Sequence, residues 1–158
     1  MFKIENNILM SVNDKNIENV IIPDGITSIE YFAFYGCSSI TNIIIPNTVK
    51  EIGAGAFARC TSLTEIVIPE GVTCIDDGTF AGCTSLANIV IPNSITSINR
   101  NAFYGCTSLT SIVIPNGVIS IGKDAFYGCT NLNEITIPDS VIANIFGLNK
   151  SCKIIKEC

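Results

Sequence analysis

Eight cysteines stand in a chain of 158 residues, and six of them, Cys37, Cys60, Cys83, Cys106, Cys129 and Cys152, are spaced by 23 residues. So many thiols raise three chemistries: disulfide cross-linking, metal coordination and redox exchange. The spacing argues against each. Equivalent residues on successive rungs of a stacked array lie about 4.8 Å apart with parallel side chains, without the opposed Cβ approach that a disulfide needs. A straight row cannot place four ligands around a zinc ion, and the paired C-x₂-C units typical of zinc sites are missing. Cys37, Cys60, Cys83, Cys106 and Cys129 are therefore expected to be buried, reduced thiols that act as small hydrophobes. Cys74, outside the row, and the terminal Cys158 are the better candidates for exposure and oxidation. The chain has no histidine, which removes the Ser-His and Cys-His nucleophile pairs and the commonest metal ligand together. Asp76 and Asp77, with Glu51 or Arg100 on nearby rungs, are the only carboxylate constellation worth weighing, and scattered charges on a turn face read as solvated surface. No glycine-rich phosphate loop leads from a strand into a helix. No catalytic residue, cofactor or metal site is assigned, and the chain is expected not to be an enzyme.

The elements that carry the thiols repeat with them. Six prolines, Pro23, Pro46, Pro69, Pro92, Pro115 and Pro138, keep the same interval of 23. A turn-former and a small apolar residue recurring together mean one supersecondary unit copied in tandem, each copy stacking on the last as a rung of a solenoid. In the unit from Thr64 to Leu86, Ile66-Val67-Ile68 is a short β-branched run that ends at Pro69, which has no amide hydrogen to extend a parallel ladder. Turn chemistry follows in every copy, as Pro-Asp-Gly, Pro-Asn-Thr, Pro-Glu-Gly, Pro-Asn-Ser, Pro-Asn-Gly and Pro-Asp-Ser. Val72 and Ile75 mark a second extended piece. Phe80, Cys83 and Leu86, spaced by three, predict a tight helical or 3₁₀ turn that closes the rung. One rung buries too little to offset the ordering of its own backbone, so stability comes from neighbours covering each other's faces. Both ends then need lids. Residues 1–16, with two apolar pieces around Asn6-Asn7, are read as an N-terminal hairpin cap, 17–143 as about six repeats of 23 residues, and 144–158 as a degenerate C-terminal cap. In that last stretch Asn144 stands where Ile is expected and Phe146 comes three residues early, while Cys152 and Ile155 return to register. Residues 1–158 thus form a single repeat domain.

Composition narrows the partners. The net charge is -5, and no segment concentrates Lys or Arg, so the electrostatic attraction that dominates nucleic-acid binding is missing. An apolar fraction of 47% raises the question of membrane insertion, yet no run approaches the roughly 18 apolar residues of a spanning helix. Ile and Val simply alternate with turns. No secretory signal reads in the opening MFKIENNILMSVNDKN.

Written as a consensus, L-x-x-I-x-I-P-x-x-V-x-x-I-x-x-x-A-F-x-G-C-x-S, the unit resembles the BspA-like class of leucine-rich repeats. The resemblance runs over residues 17–143 through Phe34, Phe57, Phe80, Phe103 and Phe126, through the cysteines, and through Ile40, Leu63, Leu86, Leu109 and Leu132. Thr79 in place of Ala, Arg59 in place of Gly and Ile40 in place of Leu depart from it. The fold implied is a leucine-rich-repeat solenoid, a curved right-handed coil with a parallel β-sheet and short helical or 3₁₀ turns, mainly β with little helix. The resemblance also implies a place on or outside a microbial cell and adhesion to host extracellular-matrix or cell-surface proteins. A chain complete as given would instead be cytoplasmic.

Outward-facing columns are where function remains. With Ile66 and Ile68 inward, alternation turns Glu65 and Val67 outward. This gives a polar column of Asn19, Asn42, Glu65, Asn88, Ser111 and Glu134 beside an apolar one of Ile21, Ile44, Val67, Val90, Val113 and Thr136. The apolar column is either strand propensity alone or a partner-binding stripe. Tyr35, Tyr104 and Tyr127 make a second column on the turn side, interrupted by Ala58 and Ala81, and read either as interface anchors or as residues merely duplicated. The expected function is a non-catalytic protein-binding module for adhesion or recognition, with an intracellular scaffold or regulatory protein as the alternative. A monomer is expected, with end-to-end association of sheet edges left open.

Overall fold

Each rung ends its first strand at a proline and then reverses, so the strands are short and many. The computed structural model describes residues 2–141 and 147–157. The elements run β1 (Phe2–Glu5), β2 (Ile8–Val12), β3 (Asn19–Ile21), β4 (Ser28–Ile29), β5 (Asn42–Ile44), β6 (Glu51–Ile52) and β7 (Glu65–Val67). They continue as β8 (Cys74–Ile75), β9 (Asn88–Val90), β10 (Ser97–Ile98), β11 (Ser111–Val113), β12 (Ser120–Ile121), β13 (Glu134–Pro138) and β14 (Lys153–Glu157). Equivalent strands pair in parallel at a shift of one repeat: Asn19 opposite Asn42, Glu65 opposite Asn88 and Ser111 opposite Glu134 on one wall. On another wall Ser28 faces Glu51, and Cys74, Ser97 and Ser120 follow one another. The result is a β-solenoid of mostly parallel strands. Among the described residues there is no helix, and so none long and apolar enough to cross a membrane.

The segment expected as a helical or 3₁₀ turn is a wall of successive turns, and its hydrogen bonds explain why no helix forms. Alternate amides bond three residues back within the rung, as Ala33 N–H to the Glu30 carbonyl (3.2 Å), Tyr35 to Phe32 (3.0 Å) and Cys37 to Phe34 (3.0 Å). The amides between them reach the next rung, as Phe32 to Ala54 (3.0 Å), Phe34 to Ala56 (2.8 Å) and Gly36 to Ala58 (2.9 Å). Half the amides are committed to the neighbouring rung, so no continuous helical ladder is available. Two positions per rung take a left-handed backbone: one column is Phe32, Gly55, Gly78, Asn101 and Asp124, the other Gly36, Arg59, Gly82, Gly105 and Gly128. Glycine, Asn and Asp tolerate that region best, so Phe32 (φ 55°) and Arg59 (φ 60°) are the two outliers.

Inside this wall the five phenylalanines stack, with centroids 5.2 to 5.6 Å apart and interplanar angles of 2° to 21°. The thiols of Cys60, Cys83, Cys106 and Cys129 each donate to the Phe carbonyl one rung earlier, at 3.1 to 3.2 Å. A small apolar residue with one weak donor meets both demands of this position: it fills the core, and it supplies a second partner to a buried carbonyl.

At the N-terminal end β1 and β2 form an antiparallel hairpin, with Asn6 and Asn7 in the left-handed region, and β2 pairs in parallel with β4. At the other end the register changes. Glu134 pairs with Lys153 and Thr136 with Ile155, a step of 19 residues, so Cys152 and Ile155 do not return to the register of 23. The Cys152 N–H bonds the Asn149 carbonyl (2.8 Å) just as Leu132 bonds Cys129 (3.0 Å). Cys152 thereby takes the place of the leucine in a shortened rung. Asn144 and Phe146 lie outside the described residues.

Candidate functional site

The sheet wall presents the two columns that alternation places outward. Ile21, Ile44, Val67, Val90 and Val113 are 52–68% exposed, and Asn42, Glu65, Asn88 and Ser111 are exposed beside them. A shallow groove of about 370 Å³ runs between Asn42, Ile44, Glu65, Val67, Asn88 and Val90. Two expected members differ. Thr136 is only 7% exposed: it lies in register between Val113 and Ile155, paired on both sides in a strand that is buried from Ile135 through Pro138. Glu134 is half-buried and pairs with Lys153 at 3.8 Å. The accessible apolar stripe therefore stops at Val113.

The turn wall carries the tyrosines. Tyr104 and Tyr127 stack at 5.4 Å. Tyr35 stands apart, with the Phe32 ring perpendicular to its own at 5.6 Å between centroids and the Arg59 guanidinium 5.9 Å from its ring centre. Between Tyr35 and Tyr104 lies a groove of about 530 Å³, floored by Gly55, Ala58, Gly78, Ala81 and Gly82, with Asp77 and Asn101 at its rim. Sequence reasoning named the tyrosines and missed Phe32 and Arg59. The signal for Arg59 was its departure from the glycine of the consensus. Phe32 had a weaker one, since Gly55, Gly78, Asn101 and Asp124 at the same interval mark a column that disfavours an aromatic.

Asp76 and Asp77 cap backbone rather than form a carboxylate pair. Asp76 Oδ1 accepts from the Asp77 N–H (2.8 Å) and Asn99 Nδ2 (3.1 Å), and Asp77 Oδ1 from the Arg100 N–H (3.0 Å). The seven described cysteines are unpaired. Cys37, Cys60, Cys83, Cys106 and Cys129 are buried, and burial pushes the Cys60 thiol well up and that of Cys83 up to about 12. Cys74 is half-buried, with the Ser97 hydroxyl on its sulfur at 3.2 Å. Cys158 lies outside the described residues. Among the described residues no three His, Cys, Asp or Glu side chains converge as metal ligands would.

A family model described as the BspA type leucine rich repeat region matches the chain in six copies, over residues 3–107 and 96–156. No curated protein matches it. Among solved structures, a leucine rich repeat protein of T. pallidum superposes with a TM-score of 0.82 at 30% identity, over 99% of this chain and 80% of that one. A leucine rich cell surface protein from Faecalibacterium prausnitzii gives 0.58 at 36% identity, over 75% of this chain and 38% of that one. A leucine-rich repeat protein from Bacteroides ovatus gives 0.70 at 28% identity, over 90% and 43%. The chain thus spans less than half the length of the last two.

Proposed function

The chain belongs to the BspA-type leucine-rich repeat family, and we propose that it works as a non-catalytic adhesion or recognition module that grips a protein partner with its sheet wall. Repeat proteins of this kind are generally protein-interaction modules and are typically non-catalytic. The observation that carries the reading is the exposed row Ile21, Ile44, Val67, Val90 and Val113 beside the polar column. A contiguous apolar stripe with a polar flank on a preformed surface matches the core and rim of a protein interface. The partner class is a host extracellular-matrix or cell-surface protein, a reading supported by the cell-surface description of the F. prausnitzii neighbour. The module acts as a monomer, residues 1–158 forming one domain with a lid at each end.

The experiment is capture of the chain on immobilised matrix proteins and on intact cells. Charging the stripe through Val67→Glu, Val90→Glu and Val113→Glu abolishes capture while the chain still unfolds in a cooperative thermal transition, because those side chains are 57–61% exposed and lie outside the core. Capture that survives the three charges assigns binding to another face. One observation favours the alternative of an intracellular scaffold, namely that every described cysteine is unpaired. Finding an export signal upstream in the full reading frame excludes that alternative.

A further inference from the structure

We propose that the groove of the turn wall is a binding site for a neutral oligosaccharide, distinct from the protein-binding stripe. The argument begins with strain. Of the ten left-handed positions in the two columns, eight hold Gly, Asn or Asp, and the exceptions are Phe32 and Arg59. A bulky residue held in that region is strained. Both exceptions frame the same end of the same groove. Phe32 lays its ring where a Cβ at Gly55 would fall, and Arg59 lies over Tyr35. Neither is buried in the core, so core packing does not account for them.

The chemistry of the groove selects the ligand. Its walls are aromatic side chains partly open to solvent, Phe32 (54% exposed), Tyr35 (42%) and Tyr104 (45%). Its floor has no side chain larger than a methyl group along two rungs, about 10 Å at the rung spacing, which suits two linked sugar rings. The negative face of an aromatic ring attracts the C–H-rich face of a pyranose. The polar groups at the rim are a guanidinium, a carboxylate and an amide: Arg59, which makes no ion pair among the described residues, the second oxygen of Asp77, and the side chain of Asn101. Planar donors and acceptors of this kind bind paired hydroxyls. The one positive and one negative charge cancel, so the site asks for a neutral ligand. A peptide fits less well. The floor amides of Ala58, Arg59, Ala81 and Gly82 are already bonded to protein carbonyls, which leaves no main chain for a peptide strand to join. At about 530 Å³ the groove has the size of a small-ligand site.

The test presents the chain to an array of short neutral oligosaccharides of hexose and N-acetylhexosamine, with a polyproline peptide alongside, and follows the best sugar by titration calorimetry. Saccharide binding is expected. Tyr104→Ala, Arg59→Gly and Phe32→Asn each weaken it about tenfold, the loss of one good contact. Arg59→Gly and Phe32→Asn restore the residue types of their columns, so both variants melt at or above the parent temperature and lost binding is not lost folding. Charging Val67 and Val90 leaves saccharide binding intact, which separates this site from the sheet wall. Absence of any captured sugar at millimolar concentration overturns the proposal. So does preference for the polyproline peptide, or sugar affinity unchanged in Arg59→Gly and Phe32→Asn.

Discussion

The turn wall and the sheet wall are built on the same period but held together differently. On the turn wall every rung is tied to the next by three backbone bonds, a phenylalanine stack and a thiol bond, without interruption from Phe34 to Phe126. The Phe34 carbonyl, for example, takes both the Cys37 N–H at 3.0 Å and the Cys60 thiol at 3.2 Å. The sheet wall is a row of short ladders, β3 with β5, β7 with β9, and β11 with β13 and β14. At β9 the inward residues Ile89 and Ile91 are only partly buried, where Ile66 and Ile68 of the preceding rung are sealed. Cohesion is concentrated on one side of the coil, and the other side is left free to vary its outward residues.

Three measurements test that contrast. The largest effect belongs to the stack. Phe80→Ala removes the central ring between Phe57 and Phe103 and is expected to destabilise by about 3–5 kcal/mol, read by urea unfolding. A cost equal to that of an exposed sheet-wall valine breaks the contrast. The second is alkaline. The folded chain keeps Cys83 protonated up to about 12 while the unfolded chain releases that proton near 9.0. Unfolding therefore sheds protons between those values, so this contribution is complete below pH 9 and fades as pH rises toward 12. The slope is about 1.4 kcal/mol per pH unit for each such thiol. The fall of melting temperature with pH across this range becomes shallower in Cys83→Ala, and an unchanged pH profile in that variant removes the thiol from the account. The smallest effect, the difference between two isoleucine substitutions, sharpens the sheet side. Ile66→Ala costs about 2–5 kcal/mol as a sealed core residue, and Ile89→Ala costs less, in proportion to the smaller area it hides. Equal losses would mean that the break near β9 does not loosen the packing.

Much of this was legible in the residues. A constant interval of prolines and cysteines dictates stacked rungs, and strict alternation in Glu65-Ile66-Val67 dictates which side chains face out. The turn wall was harder to read. Phe80, Cys83 and Leu86 at intervals of three fit a helical turn as well as a chain of bends, and only the sharing of amides between rungs decides for bends. Phe32 and Arg59 escaped because residue type does not announce a left-handed backbone when the residue is a poor choice for it. The shortened final rung escaped for another reason. Glu134 to Pro138 keeps the repeat's own pattern, so Thr136 reads as exposed until its neighbours Val113 and Ile155 are seen in register.

The amides of the turn wall that cross between rungs all point the same way, from Phe32 to Ala54 through Gly105 to Tyr127. Their dipoles add, as they do along an α-helix, and give the coil an electrical polarity along its length with carbonyl oxygens gathered at the first rung. Two of those oxygens are answered there: Ala33 by the Val12 N–H at 3.1 Å, and Tyr35 by the Lys15 ammonium at 2.7 Å. Lys15 is thus a counterion to the negative pole, and an array lengthened by further rungs would still need a cation at the same end.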